Sequence, residues 1–183
     1  EAGTPVIIGT FDHPSAARGV GVTKEGQLLL SCGTSWVGFY PINDREKIAS
    51  AGMLIDPFLS ESGGPWAGMI SLASLSGQIE SYTKAFVDSS DVWYKKLVEY
   101  SEGSEVGAGG LSINLLDYPN DAEIQKYEKR HIARAIMESV INMLSDSISR
   151  ISKAGISCNE AVMVGGPSEN PLWARLIEEK TGI

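Results

Sequence analysis

Apolar or small side chains recur at Ile124, Ile132, Ala135, Ile136, Val140, Met143, Leu144, Ile148 and Ile151, at i, i+3, i+4 and i+7 intervals from Ile132 onward. That spacing aligns them on one face and predicts an amphipathic helix over 122–153, about eight turns long. Asn120 with Glu123 three positions later makes a capping-box pattern at its start, and Gly155 supplies a stop. The run Ala161-Val162-Met163-Val164 then reads as a strand ending on Gly165-Gly166, followed by a helix over 169–179.

Upstream, the pattern alternates. A buried-type strand is expected over 6–10, then a turn at Asp12-His13-Pro14 and a short helix over 14–19, where proline near a helix start loses no hydrogen bond. Gln27-Leu28-Leu29-Leu30-Ser31-Cys32 reads as a buried strand that stops at Gly33-Thr34-Ser35, and 36–40 as its hairpin partner. Helices are predicted over 71–87, from Leu72, Leu75, Ile79 and Tyr82, and over 92–100. The glycine-rich acidic stretch 101–110 reads as loop. Strands alternating with helices predict an α/β domain with a parallel or mixed sheet, in which ligands sit at strand carboxyl ends.

With 183 residues, 43% of them hydrophobic and 21% charged, the chain is the size and composition of one globular domain. Its longest apolar runs are strand-sized, far short of the roughly 20 residues of a membrane span. A net charge of −8 gives no broad basic field for nucleic acid. Cys32 and Cys158 are far apart and lack metal-ligand spacing, so free thiols in a reducing, cytoplasmic compartment are expected. The chain enters a strand after five residues and stops just past a helix, which suggests a piece of a longer protein. The 20 glycines are high against the usual proportion of roughly 7% and they cluster, marking specific turns.

Three strand ends carry groups suited to chemistry. Asp12, after the first strand, is placed either to take a proton from a substrate hydroxyl or to cap the next helix. Gly33, Thr34 and Ser35 offer backbone N–H groups and hydroxyls to phosphate oxygens, or form an ordinary hairpin turn. Gly165 and Gly166 let backbone lie against a ring or phosphate, with Asn170 as donor and acceptor, or serve tight packing. Neither the P-loop lysine nor the dinucleotide glycine spacing is present. His13 reads as structural or substrate-contacting and His131 as structural. The four tryptophans read as core, with Trp66 in a loop where it could line a pocket.

Taken in order, these pieces resemble the carboxyl-terminal lobe of the FGGY carbohydrate kinases. Gly9-Thr10-Phe11-Asp12-His13, Leu30-Ser31-Cys32-Gly33-Thr34-Ser35, His131-Ile132-Ala133-Arg134-Ala135-Ile136-Met137-Glu138 and Val164-Gly165-Gly166-Pro167-Ser168-Glu169-Asn170-Pro171-Leu172-Trp173 are similar to successive family motifs. The family's arginine-glycine loop is replaced by Leu115-Leu116-Asp117-Tyr118-Pro119-Asn120-Asp121. The resemblance implies one lobe of the actin-like ATPase (ribonuclease-H-like) fold, an α/β mixed sheet flanked by helices that spans 1–183. An amino-terminal lobe and the extreme carboxyl terminus would lie outside this chain. It further implies Asp12 as the catalytic base, Gly33, Thr34 and Ser35 as the phosphate contacts, and Ser74, Gln78, Gly165, Gly166 and Asn170 around the nucleotide. ATP and Mg²⁺ would be the cofactors, with the metal ligands on the other lobe. A small sugar or polyol would be the acceptor, in a cytoplasmic protein that is a possible homo-oligomer with no nucleic-acid or membrane partner. Two other readings are a nucleotide-binding interaction protein of the same superfamily without sugar, and a non-catalytic domain whose glycine turns are structural.

Overall fold

The computed structural model describes residues 3–5, 9–72, 75–117 and 121–183. Helix α1 (Asp12–Gly19) leads into β1 (Gly26–Cys32) and β2 (Trp36–Ile42), an antiparallel hairpin. Then come α2 (Arg45–Ser50), capped by the Asp44 carboxylate, and strands β3 (Leu54–Asp56) and β4 (Trp66–Leu72). Helices α3 (Leu75–Phe86), α4 (Trp93–Glu102), α5 (Asp121–Ile124) and α6 (Lys129–Lys153) follow, then β5 (Cys158–Val164) and α7 (Pro171–Thr181).

The five strands form one mixed sheet in the order β3-β4-β2-β1-β5, with β1 and β5 parallel and the other pairs antiparallel. Strand alternation sorts the side chains between two faces. Leu28, Leu30 and Cys32 of β1 join Trp36, Tyr40 and Ile42 of β2 in the larger core, shared with α3, α4, α6 and α7. Leu29 and Phe39 point the opposite way, into a smaller cluster with Ala17 of α1, Val22 and Phe58. Helix α6 is the spine of the larger layer. From Ile132 to Met137 every residue is buried, because α3, α4 and α7 all pack on it. A helix enclosed on several sides needs apolar or paired residues nearly all round, not a single stripe.

Several boundaries differ from the sequence expectations. Residues 6–8 of the first expected strand lie outside the described residues, and Gly9 and Thr10 are in no strand. Helix α1 starts at Asp12, two residues before Pro14. The 71–87 helix begins only at Leu75. Ser71 and Leu72 belong to β4, where Leu72 pairs with Trp36. Leu72 matches both periods, and cross-strand pairing decides it. Trp66, expected in a loop, opens β4 with the Arg45 guanidinium over its ring. The long 122–153 helix is broken: α5 ends at Ile124 and α6 starts at Lys129. Asn120, the expected cap, lies outside the described residues. Gly155, at φ 77°, does mark the stop beyond α6. Helix α7 starts at Pro171 rather than 169, after a 3₁₀ turn, and α4 runs on to Glu102.

Candidate functional site

Because β1 and β5 are parallel neighbours, their carboxyl ends lie side by side, with Ser31 paired to Val164. The turns that follow, 33–35 and 165–170, are therefore adjacent. Gly165 marks the contact. Its φ is 98°, and an added Cβ would lie 2.3 Å from the Cys32 carbonyl oxygen. Only glycine meets both conditions. The Ser76 hydroxyl at the start of α3 donates to the Gly33 carbonyl at 2.6 Å, tying a third element to the same place.

A cavity of about 300 Å³ opens where these parts meet, bordered by Gly33, Trp36, Ser76, Trp93, Tyr94 and Gly166. A second, of about 500 Å³, lies across Tyr94 and Gly166 and reaches Lys95, Glu169 and Asn170. Gly166 thus borders both, and a Cβ added there would meet nothing within 4 Å. Asn170 is the N-cap of α7, its Oδ1 accepting the Leu172 N–H at 2.8 Å, which leaves its amide NH₂ as the group to offer a ligand. Ser168 Oγ donates to the Gly165 carbonyl at 2.7 Å and stiffens the turn.

The walls are rich in aromatic rings. Trp36 and Trp173 stack edge to face at 5.1 Å, as do Trp93 and Tyr94 at 5.6 Å. Trp36 Nε1, Tyr94 Oη and Trp173 Nε1 are buried without a hydrogen bond of good geometry, although the last two are neighbours. Burial pushes the Tyr94 phenol up to about 12 and the Cys32 thiol up to about 12, so both stay protonated and uncharged at neutral pH.

Of the residues singled out from sequence, Gly33, Gly166 and Asn170 border the two cavities, and Gly165 holds their shared wall. Thr34 and Ser35 are in the turn beside Gly33. Gln78 is half-buried on α3, one half-turn beyond Ser76, and Ser74 lies outside the described residues. Asp12 is apart from these linings. It is the first residue of α1, on the layer that carries the smaller core cluster, with its side chain 82% exposed. Its Oδ1 accepts the His13 N–H at 2.9 Å. His131 Nδ1 lies 2.9 Å from Ser104 Oγ, a contact between α6 and the 103–113 loop. Ser76, Trp93 and Tyr94 carried no sequence signal beyond the adjacency of two aromatics, since α4 reaches the cleft only through tertiary packing. Among the described residues no three His, Cys, Asp or Glu side chains cluster as a metal site, and no helix is long and apolar enough to cross a membrane.

This architecture is one lobe of the actin-like ATPase fold. The crystal structure of xylulose kinase from Rhodospirillum rubrum superposes with a TM-score of 0.75 at 17% identity, covering 93% of this chain and 36% of that one. Plasmodium falciparum glycerol kinase with ADP superposes with a TM-score of 0.69 at 15% identity, covering 91% of this chain and 36% of its own. No family model matches the sequence. Curated relatives do: xylulose kinase of Bacillus subtilis (strain 168), 24% identical over 94% of this chain, and autoinducer-2 kinase of Yersinia pestis bv. Antiqua (strain Angola), 22% identical over all of it. In sequence and in fold the chain is thus similar to parts of these kinases. It spans 36% and 38% of the length of those two relatives.

Proposed function

We propose that this chain is the nucleotide-binding lobe of a carbohydrate kinase that transfers the γ-phosphoryl group of ATP to a hydroxyl of a small sugar or polyol. The observation that carries the reading is the junction of the Gly33 turn and the Gly165-Gly166 turn around one aromatic cavity. A purine ring fits such an apolar slot, and the unobstructed face of Gly166 lets a flat ligand approach the backbone. The fit to ATP therefore rests on residues of this chain. Gly33, Thr34 and Ser35 would hold phosphate oxygens, and the Ser76–Gly33 bond fixes that turn before any ligand arrives. Asn170 would present its amide NH₂ to the base or ribose, with Ser74 and Gln78 as two further proposed nucleotide contacts.

Asp12 is the proposed base. The acceptor hydroxyl oxygen forms a bond to the γ-phosphorus, the bond from that phosphorus to the β–γ bridging oxygen breaks, ADP leaves, and the hydroxyl proton passes to the Asp12 carboxylate. Mg²⁺ would neutralise phosphate charge, and no side chain of this chain is assigned to it. Transfer of this kind depends on alignment and on exclusion of water, so a second lobe closing over the cleft completes the site. The cytoplasm is the proposed location.

The test is equilibrium titration of the chain with a fluorescent ATP analogue, in parallel with Gly166→Val. Saturable binding that Gly166→Val weakens at least about tenfold supports the reading. Equal binding by both proteins removes the nucleotide from this cleft.

A further inference from the structure

A separate cavity of about 480 Å³ lies between α6, the second half of α7 and the 103–113 loop, and it shares no lining residue with the cleft around Gly33 and Gly166. Its size falls within the roughly 300–1,000 Å³ of small-molecule sites. Ile141 and Leu176 form an apolar wall, and Val106, 77% exposed, stands on the rim.

Arg134 is the unusual member. It is only 6% exposed, yet it borders the cavity. Its Nε donates to Glu138 Oε1 at 2.7 Å, and that same oxygen accepts the Gly107 N–H at 3.0 Å. The Glu138 charge is thus committed to the fold, where it pins the loop to α6. A guanidinium carries five N–H donors in a planar fork. Among the described residues the bond to Glu138 is its one hydrogen bond, and its Nη nitrogens are not sealed from solvent. Lys180 and Glu179, both exposed, border the same cavity, and Lys180 makes no ion pair among the described residues. An oxyanion entering the cavity would meet these donors in a largely desolvated setting, where charge-assisted hydrogen bonds are strong.

We infer that this cavity binds a small organic carboxylate, its planar oxyanion seated on the Arg134 fork with Lys180 beside it, and its short branched apolar body against Ile141, Leu176 and Val106. The bidentate match of guanidinium to carboxylate selects the head group, and the apolar wall selects the tail. The site stands independently of the nucleotide reading.

The probe is isocaproate, with neutral isocaproamide and acetate as controls, titrated to millimolar levels into the full chain and followed by backbone amide chemical shifts. Isocaproate should saturate and shift Val106, Gly107 and the last turn of α7. Isocaproamide, lacking the charge, and acetate, lacking the tail, should each bind at least about tenfold more weakly. Arg134→Gln strips Glu138 of its ion-pair partner and endangers the fold, so the variants are Lys180→Gln and Asn142→Trp, both at exposed residues that border the cavity, the second filling it. Both should stay folded and lose affinity, and Gly166→Val should leave it unchanged. No saturation by the wild-type chain, equal affinity for isocaproamide, or full affinity in Asn142→Trp would each overturn the assignment.

Discussion

Gly165 and Gly166 are adjacent in sequence, yet they meet different physical demands, and substitution separates them. Gly165 has positive φ and backbone 2.3 Å from where a Cβ would sit. Gly165→Ala should therefore destabilise the fold by about 2 kcal/mol or more, read as a lowered midpoint in urea. Gly166 has neither constraint. Gly166→Ala should change stability by less than about 0.5 kcal/mol while raising the KM for ATP more than that for sugar in the full-length kinase. A pure packing role predicts the reverse for Gly166, with stability lost and KM unmoved. At Asp12, the exposed carboxylate and the helix-start position allow a clean substitution. Asp12→Asn in the full-length protein should lower kcat by about 100-fold or more with ATP binding unchanged. A folded variant with wild-type kcat would reduce Asp12 to an interaction with the N-terminus of α1.

At the scale of elements, α7 joins the two cavities: Asn170 caps its start beside the glycine turn, and Leu176, Glu179 and Lys180 border the anion cavity near its end. The cap gives a two-variant test. Asn170→Ala removes the acceptor for Leu172 N–H and should cost about 1 kcal/mol. Asn170→Asp keeps that acceptor and adds a charge favourable at a helix start, so stability should hold. Nucleotide affinity should nevertheless fall in both, because each loses the amide NH₂ proposed to face the base. Retained affinity in Asn170→Asp would show that Asn170 serves α7 alone. The aromatic start of α4 belongs to this scale too, since Trp93 and Tyr94 reach the cleft only because α4 packs along α6.

For the whole molecule, burial sets a definite pH response. Burial raises the Cys32 thiol from 9.0 to about 12, Cys158 to about 11 and Tyr94 to about 12, and pushes Tyr40 higher still. Each group keeps its proton in the folded chain at pH values where the unfolded chain has lost it. Their contribution is therefore complete below about pH 9 and is lost as pH rises through about 11 to 12. Urea midpoints should fall steeply across that window and stay flat, as far as these groups are concerned, between pH 6 and 8. Cys32 should also resist alkylation until the chain unfolds. The chain covers about a third of its relatives, 36% of the Bacillus subtilis kinase. An alignment error of about 1 Å can cost roughly 100-fold in rate, so this chain alone, given ATP, Mg²⁺ and sugar, should show no sustained ADP release. Turnover near the typical kinase rate of about 1–100 s⁻¹ would mean that the site is complete without a second lobe.

Local pattern was sufficient for β1, β2, β5, the body of α6 and the glycine turns, because each is written in contiguous side chains with one dominant period. Order in the chain and strand-end chemistry also pointed to Gly33, Gly166 and Asn170. Residues 66–72 were different: Trp66 and Leu72 suit a loop, a strand or a helix, and pairing with β2 decided among them. The break between α5 and α6 falls between Ile124 and Ile132, where the hydrophobic stripe has no member, and a stripe read across that gap runs the two helices together. Gly165 could be read as a turn, but its contact with the Cys32 carbonyl exists only once β1 and β5 lie parallel. The cavity around Arg134 has no linear signature at all, since its parts lie in the 103–113 loop, α6 and α7. Sequence specifies elements through short-range periodicity, whereas cavities and cleft walls arise from residues far apart in the chain, and their contact is settled only when the layers pack.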